Sequence, residues 1–206
     1  MLINITPELP TDSANYEVLT EAVTLTKRVP GMTCEIGLRR GGGSKFIMDA
    51  LVSTEQKDKV HIAIDPYGNI EYADNDKMIR QDYTNMMRDE ALVEMYLYCR
   101  RAGIMFMFFN LEDTEFFARY SDGVPIYQET KRIENTYSMV HFDGPHRPDL
   151  IKAEIDFFHT RSLTGATFVF DDVALYDHKN TVHPYLKELG WKVFSTTARK
   201  WGYTKA

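Results

Sequence analysis

Short, almost wholly apolar runs alternate along the chain with longer segments in which apolar residues recur at helical spacing. The short runs have the length of β-strands. We predict strands at 32–36, 60–64, 104–109, 137–142, 166–170, 191–195 and 200–204. The longer segments have the periodicity of amphipathic helices. We predict helices at 15–27, 43–53, 83–101, 111–120, 149–161 and 180–189.

The order of these elements predicts the fold class. Apolar strands that alternate with helices are typical of a parallel sheet covered by helices on both faces. The last two predicted strands are separated by only four residues, too few for a crossover connection, so we expect an antiparallel hairpin there. The sequence therefore predicts a doubly wound α/β fold, with a mostly parallel sheet that ends in an antiparallel hairpin.

The beginning of the chain differs from the rest. Residues 1–30 contain Pro7, Pro10 and Pro30 around a single predicted helix. We interpret 1–30 as an N-terminal helical extension and 31–206 as the main domain. The total length of 206 residues fits one large domain that can bury its own core.

The composition narrows the classes of partner. The chain has 24 Lys and Arg against 30 Asp and Glu, a formal net charge of −6, which argues against nucleic acid because phosphate binding depends on cationic side chains. Its two cysteines, Cys34 and Cys99, form no metal-binding pattern and suit a reducing compartment. The sequence shows neither a signal peptide nor an apolar run long enough to cross a bilayer. We therefore expect a cytoplasmic protein with no membrane partner.

The residues just after the predicted strands are the candidates for chemistry, because ligands of such sheets bind beyond the carboxyl ends of the strands. The loop 37–43 contains four glycines, which allow a tight turn and close approach to a ligand. Asp65 follows the second strand and suits the two hydroxyls of a ribose. A flexible turn with a helix cap, or an Asp that begins a turn before Pro66, would explain each feature alone. Together they favour a cofactor that contains a nucleoside.

The glycine loop is not the dinucleotide-binding fingerprint. That pattern is G-x-G-x-x-G with an acid about 20 residues further on. Here Asp65 lies 28 positions beyond Gly37, and Glu35 precedes the first glycine. A carboxylate at Glu35 would repel a pyrophosphate and attract a cationic amino-acid group. The arrangement favours a cofactor with an amino group and a ribose but without phosphate.

The fourth and fifth predicted strands both end in acid: Asp143 follows one, and Asp171 and Asp172 follow the other. If the two strands are parallel neighbours they lie about 4.8 Å apart, so the three carboxylates can converge. Carboxylates this close shift one another's pKa values, and Mg²⁺, which prefers oxygen ligands, would stabilise them. Alternatively, these aspartates cap a helix and form a turn.

His146, three residues after Asp143, is a candidate base that would accept a hydroxyl proton. The alternative is a solvated loop histidine.

The stretches CEIGLRRGGGS, IAIDPYG, VHFDGPH and VFDDV, in this order, resemble the class I S-adenosylmethionine-dependent methyltransferases. The chain is most similar to the small metal-dependent O-methyltransferase branch, with its catechol-type and macrolide-sugar-type enzymes. The resemblance covers about residues 30–206. It implies a Rossmann-like, seven-stranded, mostly parallel sheet with a C-terminal antiparallel hairpin.

The resemblance also implies roles for individual residues. Cofactor contacts fall on Glu35, Gly37, Gly41, Gly43, Ser44, Asp65 and Tyr67. The metal ligands fall on Asp143, Asp171 and Asp172. The catalytic residues are expected to be His146 and Asp143, with His146 at a position where catechol-type enzymes carry a lysine base.

The leading hypothesis is methyl transfer from S-adenosylmethionine to a hydroxyl of a small-molecule acceptor, with Mg²⁺ lowering the pKa of that hydroxyl. A non-catalytic cofactor-binding protein on the same fold is the second hypothesis. A metal-dependent enzyme of another reaction type is the third. The segments 1–30, 67–85 and 173–180 are expected to shape the acceptor pocket. The identity of the acceptor and a homo-oligomeric state stay open.

Overall fold

A computed structural model describes residues 9–11, 13–68, 71–74, 77–80 and 83–206, with the backbone alone at 71–74 and 77–80. The rest of the predicted extension (1–8 and 12) and part of the predicted pocket segment 67–85 lie outside the described residues. In chain order the elements are α1 (Glu17–Leu25), β1 (Met32–Ile36), α2 (Gly42–Ser53), β2 (Val60–Ile64), β3 (Glu71–Asp74), β4 (Lys77–Arg80), α3 (Asn85–Ala102), β5 (Met105–Phe109), α4 (Asp113–Arg119), β6 (Val124–Tyr127), β7 (Lys131–Glu134), β8 (Tyr137–Phe142), α5 (Pro148–His159), β9 (Thr167–Phe170), α6 (His178–Glu188), β10 (Trp191–Thr196) and β11 (Trp201–Lys205).

The centre of the molecule is a seven-stranded sheet with the strand order β10-β11-β9-β8-β1-β2-β5. β11 pairs antiparallel with both of its neighbours, and the other pairs are parallel. β1, β2, β8 and β9 are buried at every position, as expected for strands covered by helices on both faces. The predicted doubly wound, mostly parallel sheet with its antiparallel hairpin is confirmed.

Helices cover the two faces of the sheet with separate hydrophobic cores. On one face, Phe116, Phe158 and Val182 of α4, α5 and α6 belong to one core. On the other face, Leu19 of α1 and Ile47 of α2 belong to the second core, together with residues of α3. The described part of residues 1–30 therefore shares the core of the main domain, and the proposed boundary at residue 30 stays a prediction.

An aromatic stack fixes the ends of the two strands that carry the predicted acids. The rings of Phe142 and Phe170, the last residues of β8 and β9, lie 4.4 Å apart and nearly parallel. Phe158 of α5 packs edge-on against Phe142, with 5.8 Å between the ring centroids. Rings in these arrangements are attractive beyond their buried area. Asp143 and Asp171, the next residue after each strand, are therefore attached to strand ends that this aromatic packing holds in place.

Two small hairpins were not predicted from the sequence. β3 and β4 pair with each other, as do β6 and β7, outside the main sheet. β7 has the sequence Lys-Arg-Ile-Glu and is mostly exposed, so it lacks the apolar run by which the sheet strands were recognised. The last strand also begins at Trp201 and not at Lys200 as predicted. No helix in the described part of the chain is long and apolar enough to span a membrane.

Candidate active site

The carboxyl ends of four neighbouring strands lie at the same level. In the register of the sheet the last residues pair as Ile36 with Ile64, Ile36 with Phe142, and Phe142 with Phe170. The backbone ladder continues one residue further: the N–H groups of Gly37, Asp143 and Asp171 donate to the neighbouring strands over 2.9, 2.9 and 3.0 Å. The first residue after each strand is therefore held at one edge of the sheet.

These residues open into a cleft of about 500 Å³. Most of the predicted site residues line it: Glu35, Gly37, Gly43, Asp65, Asp143, His146, Asp171 and Asp172. Gly41, Ser44 and Tyr67 do not line it. Each of the three segments expected to shape the acceptor pocket contributes to the wall, through Ser13, Tyr83 and Leu175.

Gly37 allows two loops of the site to approach each other closely. Its φ is +87°, and a Cβ atom added there would lie 2.0 Å from the backbone oxygen of Asp143. A side chain would be excluded by both the backbone conformation and the space. Gly41 also has a left-handed conformation, as the N-cap of α2. The glycine loop thus directs the N-terminus of α2 toward the cleft.

Glu35 is locked in place by a chain of buried hydrogen bonds. Its Oε1 accepts from Nδ1 of His141 over 2.8 Å, and its Oε2 accepts from the Ser44 hydroxyl. Ser44 in turn lies 2.7 Å from Nε2 of His61, whose Nδ1 lies 2.9 Å from the Thr33 hydroxyl. Burial lowers the pKa of His61 to about 3, so this ring is neutral. Because the Ser44 hydroxyl donates its proton to Glu35, Nε2 of His61 is the donor to Ser44. Ser44 therefore positions Glu35 from behind the cleft.

Asp65 is held by backbone amides at the edge of the cleft. Its Oδ2 accepts from the N–H of Arg39 over 2.9 Å, and its Oδ1 accepts from the N–H of Tyr67 over 3.1 Å. Burial raises the pKa of Asp65 to about 6, although these N–H groups oppose the shift. Tyr67 is buried, and its hydroxyl donates to the backbone oxygen of Arg39. Tyr67 thus connects the loop after β2 to the glycine loop.

The two adjacent aspartates after β9 have cationic partners from the hairpin turn before β11. Lys200, which is fully buried, forms an ion pair with Oδ2 of Asp171, and Arg199 forms one with Oδ1 of Asp172. Asp171 Oδ2 also accepts from the Ser13 hydroxyl over 2.8 Å. Asp171 Oδ1 accepts from the N–H of Asp172 over 2.7 Å. Both carboxylate oxygens of Asp171 are therefore occupied.

Asp143 lies in a different electrostatic environment. Burial, reinforced by the charge of Asp171, raises the pKa of Asp143 well above its ordinary value, although Lys200 opposes the shift. For Asp171 burial acts in the same sense, but His141 and Lys200 outweigh it and lower the pKa of that carboxyl. His146 lies on the same loop as Asp143, with Nε2 3.8 Å from Oδ2 of Asp172. The site thus combines one carboxyl whose pKa is raised with one whose pKa is lowered.

The predicted Mg²⁺ site of three aspartates does not fit these contacts. Among the described residues, two groups have candidate ligand atoms within 4.8 Å of one another: Glu35, His141 and Asp143, and Asp143, His146 and Asp172. Asp171 belongs to neither group. Each group includes a histidine, whereas Mg²⁺ prefers oxygen ligands.

Sequence reasoning missed the two cations. Lys200 was predicted to lie within the last strand, and Arg199 was not considered. The signal available was the pair Arg199-Lys200 directly before an antiparallel strand that follows the Asp171-Asp172 pair in the chain. His141 lies inside a predicted strand, and the sequence did not indicate its bond to Glu35, because that bond depends on the pairing of β1 with β8.

Solved structures of O-methyltransferases share this fold, a Rossmann-like sheet with an antiparallel C-terminal hairpin. The O-methyltransferase NovP matches with a TM-score of 0.61 and 15% identity, over 93% of this chain and 79% of NovP. TomG from Streptomyces achromogenes, an O-methyltransferase solved in complex with SAM, matches with a TM-score of 0.58 and 15% identity, over 97% of this chain and 83% of TomG.

An O-methyltransferase from Bacillus cereus, solved in complex with SAH, matches with a TM-score of 0.56 and 12% identity, over 96% of this chain and 84% of that protein. No protein-family model matches the sequence, and no curated protein matches it either. At these identities the likeness shows the fold, and the activity has to be argued from the site.

Replacing Gly37 by alanine is expected to destabilise the protein more than replacing Gly103. Both glycines have positive φ, but a Cβ atom at Gly103 would meet nothing within 4 Å. Gly103→Ala should cost about 1 kcal/mol of backbone strain, and Gly37→Ala about 1–3 kcal/mol more because of the overlap with Asp143. Denaturant unfolding of the two variants measures the difference. Equal losses would contradict the close approach of the two loops.

Asp65 is expected to make stability depend on pH. Its pKa of about 6 in the folded protein lies above the ordinary 3.8, so its contribution is largest at low pH and is lost as the pH rises through 6. Between pH 4 and 7 the free energy of unfolding of the wild type should fall by about 2 kcal/mol relative to Asp65→Asn. Denaturant titrations of both proteins across this range test the shift, and parallel pH profiles would contradict it.

Proposed function

We propose that this protein is an S-adenosylmethionine-dependent methyltransferase that methylates a hydroxyl group of a small molecule. The observation that carries the proposal is the shared edge of the sheet, where the glycine loop, Asp65 and Asp143 surround one cleft. The fold adds support, since similar structures are O-methyltransferases, one solved with SAM and another with SAH.

The loops after β1 and β2 are proposed to bind the cofactor. Each carboxylate oxygen of Asp65 accepts a hydrogen bond from a backbone N–H group. Each oxygen keeps a lone pair that can accept a hydrogen bond from a ribose hydroxyl. Glu35, locked by its buried partners, presents negative charge to the cationic amino group of the cofactor's amino-acid end. Gly37 and Gly43 keep the wall free of side chains, while Gly41, Ser44 and Tyr67 shape the loop from behind.

In the proposed reaction the protein forms no covalent bond to either reactant. The sulfonium of S-adenosylmethionine supplies an activated methyl group. The acceptor oxygen forms a bond to that carbon as the carbon–sulfur bond breaks, and S-adenosylhomocysteine leaves. The chain's part is to align the two reactants, which can contribute roughly 7–11 kcal/mol at best, and to accept the hydroxyl proton.

Asp143 and His146 are proposed to handle that proton. Both line the cleft, and the raised pKa of Asp143 allows it to take up a proton nearer to neutral pH than an ordinary carboxylate. Histidine is the most frequent general base in enzymes, and His146 follows Asp143 by three residues in the same loop. The proton thus has two candidate acceptors in one loop, and Asp172 lies beside His146.

A small-molecule acceptor in a reducing compartment is part of the proposal. The cleft of about 500 Å³ lies within the range of small-molecule sites, about 300–1,000 Å³. The net charge of −6 disfavours nucleic acid. Cys34 and Cys99 are both free and buried, which suits the cytoplasm.

A non-catalytic cofactor-binding protein is the second candidate. One observation favours it: Asp171 and Asp172 already have cationic partners within the chain, as expected if they served structure alone. The candidate predicts cofactor binding without transfer to any acceptor. Asp143 and His146, which face the cleft, favour the enzyme.

Calorimetry with S-adenosylhomocysteine tests the cofactor assignment. We expect micromolar binding to the wild type and a loss of about 1–3 kcal/mol of binding free energy in Asp65→Ala, because bonds to the ribose hydroxyls disappear. Asp122→Ala, at an exposed aspartate outside the cleft lining, serves as the matched control and should bind normally. A wild type without affinity for S-adenosylhomocysteine would remove the proposal.

Transfer of a labelled methyl group from S-adenosylmethionine to a panel of catechols, phenols and sugar hydroxyls tests catalysis. With the acceptor found, Asp143→Asn should lower kcat by about 10²–10⁴-fold while binding S-adenosylhomocysteine as the wild type does, since the variant cannot take up the proton. His183→Gln, outside the cleft lining, is the control. An unchanged kcat in Asp143→Asn would exclude this residue as the base.

A further inference from the structure

We propose that Lys200 and Arg199 supply the positive charge that the aspartates of this site require, so that the site binds no divalent cation and transfers the methyl group without one. The catalytic meaning of this inference rests on the proposed function. The charge balance itself concerns only residues of this chain and can be tested without an acceptor.

The antiparallel hairpin explains why the two cations lie where they do. In the pairing of β11 with β9, Trp201 lies opposite Phe170 and Gly202 opposite Val169. One step further along the same register places Lys200 opposite Asp171. Beyond that point the register shifts by one residue, since the N–H of Val173 donates to the backbone oxygen of Arg199 over 3.1 Å. The two segments stay adjacent, and Arg199 forms its ion pair with Asp172. Opposite charges in directly opposing positions of antiparallel strands attract.

Lys200 has the complete set of partners that a buried ammonium requires. Its side chain is fully buried, paired with Asp171, and donates to the Ser13 hydroxyl over 2.9 Å. Its Nζ also lies 4.8 Å from the centre of the Tyr16 ring, within cation–π range. A buried charge with its hydrogen bonds satisfied is held firmly, whereas removing one partner leaves the other uncompensated.

A divalent ion would have to compete with these contacts. Both oxygens of Asp171 accept bonds, and Oδ1 of Asp172 faces Arg199. The three carboxylates opposite two fixed cations leave at most one negative charge, so a bound divalent ion would make the cluster positive. The proposed cofactor is itself a sulfonium cation, and like charges in a buried site repel strongly. A divalent metal ion is therefore not needed to neutralise the carboxylates of this site.

Lys200 does not line the cleft, so it is a positioning residue that acts through Asp171. Removing its charge should leave Asp171 and Asp172 as carboxylates without full compensation, which is the condition under which oxygen ligands bind a hard cation. The variant Lys200→Met should therefore acquire the metal binding that the wild type lacks. If Lys200 only stabilised the fold, its replacement would lower stability without creating a metal-binding site.

The test is a titration of the chelator-treated protein with Mn²⁺, followed by calorimetry and by thermal unfolding. The wild type should show no Mn²⁺ binding, and its affinity for S-adenosylhomocysteine should be the same in EDTA and in millimolar Mg²⁺. Lys200→Met should bind one Mn²⁺ and gain melting temperature with it, and Asp171→Asn/Lys200→Met should lose that binding. Lys45→Met, which breaks the more exposed pair with Asp49, is the matched control and should behave as the wild type.

Two results would overturn the inference: a wild type that binds one Mn²⁺ and loses it on Asp172→Asn, or a Lys200→Met protein that folds and binds none. If Lys200→Met does not fold, the wild-type titration decides, together with Lys200→Arg, which keeps the charge and should stay free of Mn²⁺. If the protein does not bind S-adenosylhomocysteine but the Mn²⁺ titrations give the expected results, the proposed function is wrong. The inference that Lys200 and Arg199 neutralise the aspartates is then still supported.

Discussion

The common register of β1, β2, β8 and β9 is the constraint on which the rest of the site depends. Each of these strands is buried up to its last residue, so the cleft begins at the strand ends and is lined mainly by the residues that follow them. Because the backbone ladder extends one residue past the ends of β1, β8 and β9, Gly37, Asp143 and Asp171 stand side by side. A shift of the register by one residue would exchange cleft-facing and core-facing residues throughout.

Such an edge concentrates acid in a region of low dielectric, and the protein stabilises each carboxylate by a different means. Backbone N–H groups bind Asp65, and the hairpin cations bind Asp171 and Asp172. Among the described residues Asp143 forms no ion pair, and burial raises its pKa. The pKa values of Asp143 and Asp171 are therefore shifted in opposite directions, as is found where titratable groups do chemistry.

The sheet strands could be predicted because burial on both faces leaves a local pattern, a short run of mostly apolar residues. The predicted bounds of β1, β2 and β8 agree with the structure. The hairpins β3–β4 and β6–β7 lie outside the main sheet, and β7 shows no such pattern because most of its side chains face solvent. Of the candidate site residues, those at strand ends reached the cleft, whereas Ser44 and Tyr67 turned inward to hold Glu35 and the glycine loop.

By itself, the sequence determined which residues end the buried strands, since hydrophobicity is a property of neighbouring positions in the chain. Only the tertiary structure decided what those residues contact. Lys200 and Asp171 are 29 positions apart, and His141 and Glu35 are 106 apart; no local pattern links such pairs. They meet because antiparallel pairing in one case and parallel pairing in the other sets two strand positions opposite each other, and that register is chosen by the packing of the whole sheet.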